Sequence, residues 1–219
     1  GKFHNLFFIQ AADFGDRCGE CDGADSPENG TPLSQWEIWN ATIIGRRPAD
    51  DGKRLITYRA NGSGQVWNSV MIEQGRGVDV EIVADSTVDI NSYDAFVRGD
   101  LALANNVFWN VADNTGAGIF KVTAEAKGWT ADSATNVDAA IADFAASFAA
   151  NNNVATDPLI AGLSYTDDGG LDPRFAAGEI VINLGTPTDP FFENLRYKGA
   201  FDRDTCIWIA GWTALDHYG

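Results

Sequence analysis

Histidine, methionine and basic side chains are scarce in this chain. Two His and one Met occur among 219 residues, and 15 Lys plus Arg stand against 31 Asp plus Glu, a formal charge of −16. That balance excludes a surface that grips nucleic acid or an anionic membrane, because such partners are held by clustered cations. Cations, basic partners and neutral sugars remain compatible with it. No apolar run approaches the ~20 residues that cross a bilayer, so no membrane span is expected. The opening GKFHNLFFIQ has neither an initiator Met nor the small-residue cleavage site of a secretory leader. It reads as a strand, and the chain reads as a processed product or a fragment of a longer one. His4 and His217 lie at opposite ends of the sequence and form no visible triad.

Cysteine is also sparse, and its odd number excludes complete pairing. The three are Cys18 and Cys21, in CGEC, and Cys206. A structural zinc site needs four ligands, and one distant Cys with two terminal His is thin support. A redox pair expects a helix after the first Cys, whereas CDGADSPENG follows here and reads as loop. A local or loop-stapling disulfide with one thiol left over is the expectation, with the pairing among Cys18, Cys21 and Cys206 open.

What the chain has in quantity is strand signal. Over residues 1–125, short runs rich in Val, Ile, Phe and Trp alternate with Gly, Asn and Asp clusters, the pattern of strands bounded by turns. Within them one phrase recurs: HNLFFIQ, WNATIIG, WNSVMIE and NNVFWNV, placing Asn5, Asn40, Asn68 and Asn106 at the head of an apolar run. Three strands and their turns need roughly 20–30 residues, so the spacing fits one phrase per turn of a coil of parallel strands, with loop insertions. Asn tolerates the left-handed conformation of a tight bend, and stacked Asn amides can bond one another in a ladder. The alternative is four unrelated Asn residues in a β-sandwich. Residues 136–150, NVDAAIADFAASFAA, carry Val137, Ile141, Phe144 and Phe148 on one helical stripe. Residues 154–219 are punctuated by Pro and Gly and read as a tail that wraps the rest.

Several motifs together resemble those of secreted bacterial right-handed parallel β-helix proteins, a largely uncharacterised set. They are FFIQ followed by GDRCGEC over 7–21, NATIIG at 40–45, YRANGSGQVWNSVM at 58–71, and a closing pattern of Asp172-Pro173-Arg174, Tyr197 to Phe201 (YKGAF) and Trp208 to Trp212. The three Cys depart from that pattern, as does the abrupt start. The resemblance implies secretion or cell-surface localisation and a fold. It carries over no catalytic residue. The expected class is therefore all-β, a right-handed parallel β-helix (solenoid) with one flanking or capping helix near 136–150. It forms a single domain: coils over 1–125, a helix-containing segment over 126–153, and the wrapping tail. Its first strand, at 3–9, has nothing before it to bury Phe3, Phe7 and Phe8, so that edge is expected to be covered by upstream chain or by self-association.

Candidate chemistry is weaker. Asp79, Glu81, Asp85 and Asp89, with Arg76 and Arg98 nearby, are the carboxylates a polysaccharide lyase would draw on. A solvated strand face is the plainer account of them. The acidic loop DFGDRCGECDGADSPENG supplies Asp16, Glu20 and Asp22 as candidate calcium ligands. Trp36 and Trp129 are candidate glycan-stacking residues; Trp208 and Trp212 read as core or cap packing. The function expected is a non-catalytic secreted or surface protein with a structural, adhesive or glycan-binding role and a polysaccharide or cell-surface partner. The alternative is a lyase or hydrolase. No cofactor is expected beyond Ca²⁺.

Overall fold

Four bends with the same backbone geometry organise the chain. Asn5, Asn40, Asn68 and Asn105 all adopt left-handed φ values, 55°, 56°, 50° and 58°. Each sits between two strands joined by only two residues. A β-branched or bulky side chain is strained in that conformation; Asn, with its short polar side chain, is not. The computed structural model describes residues 1–11, 15–24, 27, 30–47, 53–83, 91–125, 133–166, 168–178 and 180–215.

The strands are β1 (Lys2–His4), β2 (Phe7–Ile9), β3 (Arg17–Asp22), β4 (Gln35–Trp39), β5 (Thr42–Arg47), β6 (Arg54–Arg59), β7 (Ser63–Trp67), β8 (Val70–Gln74), β9 (Arg76–Val83), β10 (Leu101–Ala104), β11 (Val107–Val111), β12 (Phe120–Glu125), β13 (Val154–Ala155), β14 (Ile160–Gly162) and β15 (Asp172–Phe175). The helices are α1 (Ser92–Arg98), α2 (Gly116–Ile119) and α3 (Ser133–Ala150). From β1 to β12, strands three apart in the chain pair in parallel, and β13 adds to β11, also in parallel. Sheet A is β1-β4-β7-β10, sheet B is β2-β5-β8-β11-β13 and sheet C is β3-β6-β9-β12. Each consecutive set of three strands is thus a tier resting on the one before.

Alternation of side chains divides each sheet into an inner and an outer face. Inner rows at one register are Phe8/Ile43/Met71/Phe108 in sheet B and Cys21/Tyr58/Val80/Val122 in sheet C. With Ile38, Val66 and Leu103 of sheet A they form one buried cluster. Phe144 and Phe148 of α3 close it, their rings 5.1 and 6.3 Å from that of Phe120. The outer face of sheet B, with Ile44, Val70, Ile72 and Val107, is a second apolar cluster. The tail covers it with Phe175, Ile160, Leu163 and Tyr165.

The expected class needs correction. An all-β right-handed parallel β-helix with a single helix does not describe the chain. Three helices are present among the described residues, two of them inside the segment expected to be strand throughout, and the β14–β15 pair is an antiparallel sheet. The helix α1 forms because Asn91 and Asp94 make a capping box and Gly99 ends it in the left-handed conformation at φ 83°. Those signals outweigh the strand tendency of Tyr93, Phe96 and Val97. The described residues form three parallel sheets, an antiparallel hairpin and three helices.

The Asn expectation is also amended. The side chains of the bend residues do not bond one another. Asn40 Nδ2 donates to the Tyr197 carbonyl (2.6 Å) and Asn68 Nδ2 to the Gly185 carbonyl (2.9 Å), so they fasten the tail. Asn106 is not the left-handed residue; it follows one position later. There a ladder does exist. Ala41 N–H donates to Ser69 Oγ (2.9 Å), Ser69 N–H to Asn106 Oδ1 (2.9 Å) and Asn106 N–H to Asn153 Oδ1 (3.1 Å), each acceptor coming from the next tier. Asn106 Nδ2 returns to the Val66 carbonyl (2.9 Å). Replacing Asn106, which is fully buried, by Leu leaves a buried donor and a buried acceptor unpaired. It should cost about 2–5 kcal/mol in denaturant unfolding; a loss below ~0.5 kcal/mol would contradict the ladder's role.

Candidate functional site

Three surfaces carry the polar chemistry, and the first is the outer face of sheet C. Its register sets Glu20, Thr57, Asp79 and Lys121 in one row. Beside it, Arg59 Nη1 meets Glu20 at 3.1 Å and its Nε meets Asp22 and Glu81, both at 3.3 Å. Arg17 also binds Glu20, at 2.8 Å. Burial pushes the Glu20 carboxyl up, but the bonds from Arg59 and Arg17 outweigh it and hold the group below the usual range. Asp79 is buried and paired with Arg54, and Thr123 Oγ1 donates to its other oxygen at 2.8 Å. Such a face is a mutually neutralised ionic network: deleting one partner strands a charge. Asp85 and Asp89 lie outside the described residues.

The candidate calcium ligands belong to the same network. Asp16 lies 3.3 Å from Arg17, and Glu20 and Asp22 turn to Arg59. Among the described residues no group of three or more His, Cys, Asp and Glu side chains is arranged to hold a metal ion.

The cysteines correct the disulfide expectation: Cys18, Cys21 and Cys206 are all free thiols. Cys18 and Cys21 share the extended strand β3, where three residues span ~10 Å, whereas a disulfide needs Cα atoms about 4.4–6.8 Å apart. Burial pushes the thiol of Cys18 up to about 12 and that of Cys21 to about 11. Neither supplies a thiolate near neutrality. Cys206 is exposed. A thiol-reactive chromophore at pH 8 should label one Cys quickly in the folded protein and three after denaturation. Rapid labelling of two or three in the folded state would contradict this placement.

The second surface is the outer face of sheet A. Lys2, Glu37, Gln65 and Ala102 occupy one register there. The next outer row contains Trp39 and Trp67, stacked at 5.3 Å and 9°. Each indole orients the polar neighbour in its own strand. Trp39 Nε1 donates to Glu37 Oε1 (2.9 Å), and Trp67 Nε1 to Gln65 Oε1 (3.2 Å). Alongside runs a groove of about 460 Å³ whose lining includes Gln35, Trp36, Glu37, Gln65 and Asp100. Trp36 is half-buried; its Nε1 donates to Tyr58 Oη (2.9 Å). Its ring lies over Gly64, where a Cβ would come within 2.2 Å of it. Trp129 falls outside the described residues.

The third surface is the tail. YKGAF crosses the Asn bends: Gly199 N–H donates to the Asn68 carbonyl (2.8 Å) and Ala200 N–H to Thr42 Oγ1 (2.9 Å). Lys198 is fully buried, with no hydrogen-bond partner for its ammonium among the described residues. Burial draws its pKa down to about 8. Trp208 is 39% exposed but stacks on Phe201 (5.3 Å, 14°) and donates from Nε1 to the Ala200 carbonyl (2.9 Å), whereas Trp212, 71% exposed, departs from the expected packing role. Among the described residues no helix is long and apolar enough to cross a membrane.

Comparison of the chain with protein-family models, with curated proteins and with solved structures gives no match in any of the three. The functional reading therefore rests on the site geometry. Sequence reasoning missed the Glu37–Gln65 row; the repeated polar-x-Trp spacing, Glu37/Trp39 and Gln65/Trp67, was the available signal.

Proposed function

We propose that this is a non-catalytic glycan-binding protein of the cell surface or the extracellular medium, and that it holds a linear polysaccharide along the outer face of sheet A. The observation that carries the reading is the pair of indole-oriented polar side chains, Glu37 and Gln65, repeated at one register beside the groove. Tiers of a sheet are about 4.8 Å apart. The groove, which reaches from Lys2 past Gln65 to Asp100, therefore offers hydrogen-bonding groups at regular intervals to a polymer that also repeats. Fixing the two side chains before binding reduces the entropy lost when ligand arrives. The acidic chain favours neutral over uronate polymers. The resemblance of the closing motif to secreted bacterial proteins supports the location.

A second reading, a lyase or hydrolase, draws on Glu37 and Asp100 sharing that groove. One experiment separates the two. Titration calorimetry with soluble neutral oligosaccharides should show binding by the unaltered protein and at least a 10-fold weaker affinity for Glu37→Gln/Gln65→Ala, with an unchanged melting temperature and no new reducing ends. Equal affinity in the double variant would overturn the site, and accumulating reducing or unsaturated ends, abolished by Glu37→Gln, would replace binding by catalysis.

A further inference from the structure

A cleft on the opposite side of the Asn bends is independent of the sheet A reading. Segment 157–163 of the tail crosses the outer face of sheet B and leaves a space of about 250 Å³ lined by Ile72, Glu73, Trp109, Asp157, Leu159 and Leu163, among others. Trp109 stands in the same outer row as Ile44 and Ile72, so the sheet itself presents its indole. The ring is half-buried, and its N–H is not among the enclosed unpaired donors, so it faces the solvent of the cleft.

Two carboxylates enter the cleft, and each is oriented through one oxygen. Asn110 Nδ2 donates to Glu73 Oε1 (2.9 Å), and the Leu159 N–H donates to Asp157 Oδ1 (2.8 Å). No Lys or Arg lines the space. The backbone that places these groups is strained: Glu73, Asn110 and Leu159 all have left-handed φ values, 62°, 51° and 53°. For Leu that conformation is an outlier, and such strain persists only where the surroundings impose it.

The chemistry of the lining selects among ligands. Two carboxylates without a basic neighbour repel an anion, so a uronate or phosphate does not fit. The indole N–H, open to the cleft, offers a donor to any ligand that carries an acceptor. An ammonium group has donors only, so an amine satisfies the carboxylates but not the indole. A hydroxylated ring does both: its hydroxyls donate to Glu73 and Asp157 and accept from Trp109. The apolar C–H face of such a ring matches the indole and the Leu159 and Leu163 side chains, in keeping with sites that are mostly apolar with a few placed polar groups. We infer that the cleft between Trp109, Glu73 and Asp157 binds one neutral pyranose unit.

The test uses the whole chain and three classes of probe: cellotetraose, xylotetraose and mannotetraose as neutral sugars, trigalacturonate as an anion, and spermidine as a polyamine. Affinity is measured for the unaltered protein, Trp109→Ala, Glu73→Gln, Asp157→Asn and Gln65→Ala. Glu73→Gln keeps the shape and the acceptor for Asn110, so it controls for misfolding of Trp109→Ala. At least one neutral sugar should bind and lose affinity 10-fold or more in Glu73→Gln and Trp109→Ala. Trigalacturonate and spermidine should bind at least 10-fold more weakly than that sugar. Affinity lost only in Gln65→Ala overturns the cleft and leaves the sheet A groove standing. Affinity lost only in the cleft variants overturns the groove and supports the cleft. Binding of no neutral sugar, or spermidine or trigalacturonate binding at comparable strength and lost in Glu73→Gln, overturns the cleft assignment.

Discussion

A backbone N–H at the bend between the first and second strand of a tier has no backbone acceptor in the ladder. The residue before it donates one way along the stack: Asn40 N–H goes to the Trp67 carbonyl and Asn68 N–H to that of Ala104. The residue after it donates the other way, Val70 N–H to Ala41 and Val107 N–H to Ser69. Between these opposed directions the N–H of Ala41, Ser69 and Asn106 is enclosed. A buried unpaired donor costs about 1–3 kcal/mol, and three would consume much of a domain's stability of roughly 5–15 kcal/mol. Ser69, Asn106 and Asn153 remove that cost by placing a side-chain oxygen over each N–H from the neighbouring tier. The rows of apolar side chains in register, and the outer rows that carry Glu37, Gln65 and Trp109, keep their alignment because these bends are fixed.

The tail depends on the same bends from outside. Asn40 and Asn68 use their amides on the Tyr197 and Gly185 carbonyls, and Gly185 N–H returns a bond to Asn68 Oδ1 at 2.8 Å. Gly199 can lie against them because it has no side chain: its φ is 83°, and a Cβ would come within 2.8 Å of Thr42 Oγ1. Covering sheet B in this way buries its apolar outer face and leaves the Trp109 cleft where segment 157–163 does not seal it. The two candidate sugar-binding surfaces thus have different origins. One belongs to the parallel strands alone, the other to strands and tail together.

Much of this arrangement was legible in the amino-acid sequence, and its errors are specific. The recurring Asn marked the bends because few other residues tolerate their geometry. In NNVFWNV either Asn could lead, and the register slipped by one, so Asn105 bends while Asn106 pairs inward. The stripe Val137, Ile141, Phe144 and Phe148 located α3. The short helix α1 was hidden because Tyr93, Phe96 and Val97 look like strand residues, although the Asn91–Asp94 box and Gly99 were readable. CGEC suggested a disulfide, but an extended strand holds its two Cys too far apart, and no local pattern tells strand from loop there. The cleft at Trp109 was not legible at all. Glu73 and Asp157 are 84 positions apart in the chain, and only the path of the tail over sheet B unites them.

The central claim is that a buried column of side-chain acceptors fixes the bends. Native-state hydrogen exchange, resolved by residue, tests it most directly on the amides of Ala41, Ser69 and Asn106. If the column holds them, these three exchange only through global unfolding, with protection of at least ~10⁴-fold, matching that of Val66 and Met71 in the core. Exchange at rates typical of an exposed turn, while Val66 and Met71 stay protected, would contradict it.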